Sequence, residues 1–357
     1  MVTRSGFRGE RSFSNTHQEL EDGLGSAWQP APEQPDFSPI TAGHDRLAQV
    51  VAEARAGLED LQKADGHWVF DLEADATISA EYVLFEHFLG EIDQALESRI
   101  AVYLRAGQAD HGGWPLYIGG DFDMSATVKA YFALKLVGDD PTAPHMTRGR
   151  EAILAHGGAA RCNVFTRFML ALFGQVPWRA VPVMPVEIML LPRWFPFHLD
   201  KVSYWARALI VPLLILMARK PRARNPRGIG IAELFLTPPE QERAYITSPT
   251  GATWGRFFLT VDRLLRLTEP LFPGRPRERA IRQAVAFITE RLNGEDGLGA
   301  IFTPMAATVM VFETLGYPKE HPDLVIGKQA VRKLLADKGD YAYVQPCLSP
   351  VWDTVLA

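Results

Sequence analysis

Closely spaced aspartates are the first residues of this chain that could carry chemistry. Asp121 and Asp123 flank one phenylalanine, and Asp139 and Asp140 are adjacent. Two carboxylates at such a spacing can bind a divalent cation or share a proton. An aspartate directly before an apolar helical run more often caps the helix, because its side chain accepts hydrogen bonds from the first turn. We therefore predict that Asp123, or Ser125 two positions later, caps the following helix.

The residue types that bind transition metals show no ligand spacing. The nine histidines are scattered, and Cys162 and Cys347 lie far apart, outside any C-x-x-C pattern. Two such cysteines predict a reduced compartment and no structural zinc. No D-D-x-x-D segment is present, so metal-bound diphosphate chemistry is not supported. We expect neither a metal nor an organic cofactor.

A short pattern, Q-x-x-x-G-x-W, occurs twice, and we call each copy a clamp. The first runs from Gln62 to Trp68 and the second from Gln108 to Trp114, whereas residues 293–299 keep the spacing without Gln or Trp. A helical run leads into each glutamine and a glycine turn follows, which is typical of a helix C-terminus. We predict that each tryptophan folds over the last helical turn and that each glutamine amide joins neighbouring helices. A repeat of about 45 residues is typical of stacked helix pairs.

Helical periodicity recurs along most of the chain. Apolar residues at spacings of three and four predict an amphipathic helix over residues 45–62. Asp75 or Ser79 is the expected N-cap of the next helix, and prolines make residues 175–200 an ordered, extended loop. Further helices are predicted at about 79–89, 97–108, 123–138, 147–157, 163–174, 202–220, 254–267, 277–292 and 304–315. No alternating run is long enough to require a sheet, so we predict an all-α protein.

Composition and charge limit the partners of the chain. With 357 residues, of which 47% are hydrophobic, it can bury a sizeable core. Its net charge of −5 gives no general attraction to nucleic acid. Residues 1–43 are polar and rich in Gly, Pro and Ser, which predicts a disordered tail without a signal peptide. The longest apolar run, residues 208–218, is about half as long as a bilayer-crossing helix needs to be.

The clamp resembles the QW motif of the triterpene cyclases, above all the bacterial squalene–hopene cyclases. The similarity extends from about Leu47 to Ala357, although the chain is shorter than such cyclases. Similar stretches are SAEYVLF (79–85), GGWPLYIGGDFDMSATVKAYFALK (112–135), FTRFMLALFGQVPW (165–178), PVEIMLLPRWFPFHLDKVSYWARA (185–208), RLNGEDGLGAIF (291–302) and QPCLSPVWDT (345–354).

The resemblance implies an α/α toroid, which is a barrel of helix pairs. It assigns residues 44–340 to the inserted barrel of a two-barrel cyclase, with the first helix as a candidate element of the other barrel. Residues 341–357 would begin the second, catalytic barrel, which is truncated here. The implied activity is the cation-driven cyclisation of squalene to pentacyclic hopanoids by an isomerase or lyase. The implied location is the membrane surface on the cytoplasmic side of the inner membrane, and the resemblance allows a homodimer.

Class II triterpene cyclases start the reaction by protonating a terminal alkene, which is barely basic and requires an unusually strong acid. In the family this acid lies in a D-x-D-D segment, and the 357 residues contain no such segment. The resemblance places it beyond Ala357. We therefore expect no catalytic residue in this chain and no cyclisation by the chain alone.

Seven positions match residues that line the substrate path in the family. The resemblance assigns five of them to the substrate cavity: Glu81, Phe165, Trp205, Ile301 and Trp352. Aromatic faces suit this task because they stabilise cations without offering a nucleophile. Glu81 would help to hold a water where the last cation loses its proton. Val202 and Ile210 match positions that narrow the substrate channel.

Five other positions depart from the family pattern around that water. The best-known relatives have Glu, Arg, Trp, Gln and Pro where this chain has Lys129, Asn163, Met169, Phe302 and Thr303. The polar network at this end of the cavity is therefore rebuilt, and the resemblance does not determine the product.

Each assignment has a structural alternative. The clamp tryptophans would be structural in any helical repeat, Glu81 could be a solvated helix acid, and aromatic residues on helices are often ordinary core. Two other functions also stay open. The missing acid favours a non-catalytic helical-barrel binding protein derived from a cyclase. A prenyltransferase-like α/α barrel would need a zinc site of Asp, Cys and His, which the sequence does not supply.

A basic run and an amphipathic helix support a membrane hypothesis. Residues 219–227 contain five cations, and the helix at 254–267 carries an apolar stripe. Such a helix can lie in the headgroup region, with its arginines against anionic lipids. In the competing interpretation the stripe faces the core and the cations form a solvated face. The stripe consists of Trp254, Phe257, Phe258, Val261, Leu264 and Leu265, and the arginines are Arg256, Arg263 and Arg266.

Overall fold

The computed structural model describes residues 44–247, 253–292, 294 and 297–357. It divides into a unit of residues 1–61 and a unit of residues 62–357. The first unit contains α1 (His44–Asp60), close to the predicted span, with Leu47 and Val50 exposed. The predicted disordered tail, residues 1–43, lies outside the described residues.

The second unit consists almost entirely of helices, as the sequence predicts. Every helix predicted beyond residue 62 is present, with ends that differ by a few residues, and α11 and α12 are additional. The helices are α2 (Ala76–Leu89), α3 (Gln94–Ala106), α4 (Met124–Val137), α5 (Pro144–Ala155), α6 (Val164–Leu172), α7 (Tyr204–Arg219), α8 (Thr253–Thr268), α9 (Gly274–Thr289), α10 (Phe302–Thr314), α11 (Pro322–Arg332) and α12 (Pro350–Leu356).

Side-chain caps mark the beginnings of several helices, including α2, α4, α6 and α7. Asp75, Asp123, Asn163 and Ser203 precede α2, α4, α6 and α7. Their side-chain oxygens accept hydrogen bonds from backbone N–H groups of the first turn, at 2.6, 2.7, 2.9 and 3.3 Å. These N–H groups have no partner within the helix, so each cap stabilises its helix by about 1 kcal/mol. Asp123 therefore acts as a helix cap, and Ser125 does not.

The helices form an inner and an outer layer. Most side chains of α2, α4 and α10 are buried, on all sides of each helix, whereas α3, α5, α9 and α11 each bury one face. A helix that is apolar all round must be covered on all sides, whereas an amphipathic helix can lie at the surface. In the core α2 packs against α4, and α7 packs against α10. This arrangement is the all-α toroid of helix pairs that was predicted.

A small hairpin interrupts the helical pattern. Strand β1 (Leu335–Asp337) pairs antiparallel with β2 (Ala342–Val344). The sequence gives no signal for this hairpin, because three-residue strands are too short to show an alternating pattern. The hairpin also spans the predicted domain boundary after residue 340, which stays a prediction.

The proline-rich segment 175–200 connects α6 to α7 and was predicted to be an ordered loop. It contains short 3-10 turns at Trp178–Ala180, Val186–Leu190 and Leu199–Lys201. Pro212 lies inside α7, which continues to Arg219. Within the described ranges no helix is long and apolar enough to cross a membrane.

Candidate functional site

The residues predicted to contact substrate lie at or near the beginnings of helices. Phe165 and Trp205 are the second residues of α6 and α7, and Ile301 is the N-cap of α10. Glu81 lies in the second turn of α2, and Trp352 lies in the first turn of α12. The fold therefore places five residues from distant parts of the chain at equivalent ends of their helices.

Backbone and side-chain hydrogen bonds join several of these helix beginnings. The backbone N–H of Asn163 donates to Ser125 Oγ at 2.9 Å, which ties α6 to α4. Strand β2 donates a backbone N–H to Ser79 Oγ of α2 at 3.0 Å. Ile301 forms an isolated β-bridge with the segment just before α12, and α10 also packs against α2. We call this set of helix beginnings the wall. Its residues are Glu81, Phe165, Trp205, Ile301 and Trp352, together with the positions directly beside them.

Glu81 forms an ion pair with Lys129 of α4 inside the wall. Its Oε1 lies 2.8 Å from Lys129 Nζ, and the two side chains are only 12% and 8% exposed. The interpretation of Glu81 as a solvated helix acid is therefore wrong. Because both charges are largely removed from water, each depends on the other for its stabilisation.

The aromatic residues of the wall are exposed. Trp205 is 57% exposed and Trp352 is 70% exposed, and Phe165 is about half exposed. The alternative in which they are ordinary core residues is therefore wrong. A Cβ built at Gly299 would lie 3.6 Å from an edge carbon of the Trp205 indole, so Trp205 lies beside the segment that leads to Ile301. The indole can still be covered by substrate or by further protein.

The two predicted channel residues lie on or next to α7. Val202 directly precedes the Ser203 cap, and Ile210 lies in the second turn of the helix. Both side chains are half-buried. Their role in a channel stays a prediction.

Three of the five positions that depart from the family pattern cap a helix or are buried in the barrel. Asn163 is the cap of α6, and Met169 and Phe302 are buried. The ring centroid of Phe302 lies 6.4 Å from that of Tyr82, so it joins α10 to α2. Thr303 is half-buried. Apolar packing and a helix cap therefore occupy three positions where the resemblance implies polar or larger side chains.

A buried thiol stands directly before the Asn163 cap. Burial raises the pKa of Cys162 to about 12, so this residue is a neutral thiol at neutral pH. Because Cys162 is buried as well as protonated, its sulfur is not accessible at the surface of the wall.

The second clamp joins α3 to α5. Gln108 Nε2 donates to the carbonyl of His145 at 2.8 Å, and Gln108 Oε1 accepts from Arg148 Nη2 at 2.7 Å. Trp114 is fully buried, and its Nε1 donates to the carbonyl of Leu104 in the last turn of α3 at 2.6 Å. This clamp has the geometry that the sequence predicts.

The first clamp is more exposed and contacts the last helix. Gln62 Nε2 donates to the carbonyl of Gly66 at 2.7 Å, within its own turn. Trp68 is half-buried, and its backbone N–H donates to Thr354 Oγ1 of α12 at 3.0 Å. This clamp therefore attaches the beginning of the barrel to α12. Of the decayed third copy, Asn293 lies outside the described residues.

The basic run offers little free positive charge, contrary to the membrane hypothesis for this segment. Carboxylates of the barrel bind four of its five cations, at N–O distances of 3.0 Å or less. These four are Arg219, Lys220, Arg224 and Arg227, paired with Glu278, Glu269, Glu313 and Glu97. Since an ion pair neutralises its own field, this run is mainly structural.

The apolar stripe of α8 faces outward. Phe257, Phe258 and Leu264 are each about half exposed, so the alternative in which they face the core is wrong. Arg266 was expected to face lipid headgroups, but it points inward. It forms an ion pair with Asp262 at 2.9 Å and donates to a backbone carbonyl of the loop before α7. The side chain of Trp254 lies outside the described residues.

Comparison with known proteins identifies the family. The family described as squalene–hopene cyclase N-terminal domain matches residues 51–340. The squalene–hopene cyclase of Bradyrhizobium diazoefficiens is 56% identical over 312 residues, which are 87% of this chain and 47% of the relative. That of Zymomonas mobilis is 53% identical over 322 residues, covering 87% of this chain and 48% of the relative. That of Alicyclobacillus acidocaldarius is 34% identical over 300 residues, covering 83% and 46%.

The similarity covers nearly all of the barrel. The matched residues include both clamps, α8 and every wall residue except Trp352 and its neighbours. The chain spans about half the length of the curated relatives it matches. The chain belongs to the squalene–hopene cyclase N-terminal domain family.

Proposed function

We propose that the chain forms part of the substrate-cavity wall of a squalene–hopene-type cyclase, which converts squalene to pentacyclic hopanoids through carbocations. The observation that carries this proposal is the set of exposed aromatic side chains, Phe165, Trp205 and Trp352, on the wall. Squalene is an apolar polyene, so aromatic and aliphatic surface matches its chemistry. Each aromatic face that meets a cation contributes about 0.5–2 kcal/mol of stabilisation.

The Glu81–Lys129 pair would form the polar end of this wall, where the last cation loses its proton. Lys129 contacts one oxygen of Glu81. A carboxylate offers about four lone-pair sites, so Glu81 can still accept a hydrogen bond from water. A water at this position would accept the proton or add to the cation, and the product would differ accordingly.

The proton donor must come from outside these 357 residues, because they contain no D-x-D-D segment. We therefore propose cyclisation for an assembly that also contains the remaining half of a cyclase. The chain alone should leave squalene unchanged, since ordinary carboxylic acids are too weak to protonate an alkene at a useful rate.

A non-catalytic binding function is the second candidate. The absence of the acid segment from these residues favours it, together with a wall that is exposed in this chain. Such a protein would bind apolar polyenes and release them unchanged.

We also propose that α8 docks on the membrane surface, on the cytoplasmic side of the inner membrane. Squalene has no polar group and is concentrated in the bilayer. The exposed Phe257, Phe258 and Leu264 can enter the headgroup region from one face of an amphipathic helix. Vesicle flotation tests this assignment, because a Phe257→Asp/Phe258→Asp double variant should lose flotation and keep its circular dichroism. If the folded variant still floats, α8 does not dock.

A chimera tests the cyclase function. The matched 312 residues of this chain replace their counterparts in the Bradyrhizobium diazoefficiens relative, which then supplies the other half of the protein. The chimera is incubated with squalene in detergent, and the products are separated by gas chromatography. We expect polycyclic triterpenes, and we expect Trp205→Ala to reduce their yield at least tenfold.

Trp194→Ala is the matched control. Trp194 is also a highly exposed tryptophan, but it lies in the loop before α7 and was not assigned to the wall. A folded chimera without product, or an equal loss in both tryptophan variants, would contradict the proposed wall. Squalene binding without product would favour the non-catalytic function.

A further inference from the structure

The outer face of α9 carries three arginines in a row. Arg275, Arg279 and Arg282 follow at spacings of four and three, so they lie on one face of the helix. All three are exposed, and none has a carboxylate partner among the residues that the structure describes. We call these three residues the arginine row. The row therefore presents uncompensated positive charge to its surroundings.

The arginine row is unfavourable for the helix that carries it. The N-terminus of a helix has a partial positive charge, and Arg275 lies in the first turn of α9. That turn has no acidic residue, and α9 has no side-chain cap to offset the charge. Like charges at a spacing of four also destabilise a helix. Local helix stability therefore does not explain why three cations stand here.

The other charged residues of α9 form ion pairs with residues of opposite charge. Arg277 Nε lies 3.0 Å from Glu187 Oε1, and Glu278 pairs with Arg219 at 2.8 Å. These pairs face the barrel. The arginine row faces away from it, where an anionic partner could approach.

Exposed apolar residues lie directly before the row in the chain. Leu267 and Leu271 are 75% and 77% exposed. Leu271 is four residues before Arg275, so their Cα atoms are at most about 15 Å apart. The exposed apolar residues that end and follow α8 therefore lie close to the first residue of the arginine row. Apolar insertion beside unpaired cations is the pattern that binds an anionic bilayer.

We propose that the arginine row binds the phosphates of anionic lipids and makes membrane docking selective for anionic bilayers. This inference rests on the proposed docking of α8, which supplies the apolar contact. Each guanidinium can donate two parallel hydrogen bonds to one phosphate. Each cation near an anionic surface raises binding about fivefold, so three together raise it on the order of a hundredfold.

Flotation with two vesicle types tests the arginine row. One type contains only phosphatidylcholine, and the other also contains anionic phosphatidylglycerol. We expect the 357-residue chain to bind the anionic vesicles on the order of a hundredfold more strongly at low salt. The preference should shrink as salt screens the charges. An Arg275→Gln/Arg279→Gln/Arg282→Gln variant should lose the preference and bind neutral vesicles as the wild type does.

A second triple variant controls for net charge. Arg55, Arg161 and Arg193 are exposed and lie outside α8 and α9, so their replacement by Gln removes the same charge. This control should keep the anionic preference. The proposal is overturned if the wild type shows no preference, or if both triple variants lose it equally. Inhibition by inorganic phosphate at constant ionic strength would also overturn it, because it would indicate a site for the free anion.

The same experiment separates this inference from the docking of α8. If the wild type binds both vesicle types equally, the docking of α8 stands and the role of the arginine row is overturned. If it binds neither vesicle type, the docking of α8 fails, and the arginine row fails with it. The cyclase function is measured independently by the products of the chimera.

Discussion

Replacing Lys129 with Met would leave the Glu81 carboxylate buried without its partner. The two charges are 2.8 Å apart, so their attraction at an effective dielectric constant near 20 is roughly 6 kcal/mol. Most of this attraction offsets the loss of hydration of both groups. Removing one partner of such a pair typically lowers the free energy of unfolding by about 3–5 kcal/mol, because the other charge stays buried and uncompensated.

The double variant Glu81→Gln/Lys129→Met removes both charges and should recover most of the loss. Thermal unfolding of the chain, followed by circular dichroism, measures each variant. We expect Lys129→Met alone to lower Tm by roughly 6–10 °C, and the double variant to lower it clearly less.

Lys319→Met is the matched control for this prediction. Lys319 Nζ lies 3.7 Å from Glu91 Oε1, but its side chain is 70% exposed. Exposed pairs contribute about 0–1 kcal/mol, so this variant should hardly change Tm. If Lys129→Met is no more destabilising than Lys319→Met, the assignment of a buried, mutually dependent pair is refuted.

Four further predictions concern the clamp tryptophans, the Cys162 thiol, the stability of the protein in acid and the activity of the 357-residue chain alone. Trp114→Ala should cost about 3–5 kcal/mol in denaturant unfolding, and Trp68→Ala less, because Trp114 is fully buried and Trp68 is half-buried; equal costs would contradict this. Cys162 should resist a thiol reagent in the folded protein and react after unfolding, because burial raises its pKa to about 12. Burial of Asp139 opposes ionisation, but hydrogen bonds from Arg105 and a neighbouring histidine lower its pKa overall. The pKa of Asp139 in the folded protein thus lies below its unfolded value of about 3.9. The contribution of Asp139 to stability is therefore complete above the unfolded pKa and is lost as the pH falls through the folded pKa. The Asp139→Asn variant should be less stable than the wild type at neutral pH, and the two stabilities should converge in acid. Squalene incubated with the 357-residue chain should yield no polycyclic product above a no-protein control by gas chromatography.

The helices could be predicted from sequence because their signals are local. The caps Asp75 and Asp123 stand directly before apolar runs, and both cap the expected helices. The hairpin and α12 were not predicted because they are too short for a periodic pattern. At Asp123 the sequence left a choice between a metal site and a helix cap, and the preference of aspartate for N-cap positions decided it correctly.

The site was less predictable because its contacts join residues far apart in the chain. The basic run looked free, yet Arg219 and Arg224 pair with carboxylates on α9 and α10. The partner of Glu81 had one available signal, since Lys129 is the single charged residue in the apolar run ATVKAYFAL and requires a counter-charge when buried. The exposure of the aromatic wall depends on what else is packed against it, which periodicity does not report.

The placement of caps and wall residues has a consequence for how this barrel can change over evolution. Phe165 stands two residues after the Asn163 cap, and Trp205 stands two residues after the Ser203 cap. The cap holds the helix start, while the exposed neighbour contributes little to folding. Substitutions at such exposed positions usually change stability by less than about 0.5 kcal/mol. The surface offered to a ligand can therefore drift residue by residue, and the scaffold that presents it need not be rebuilt.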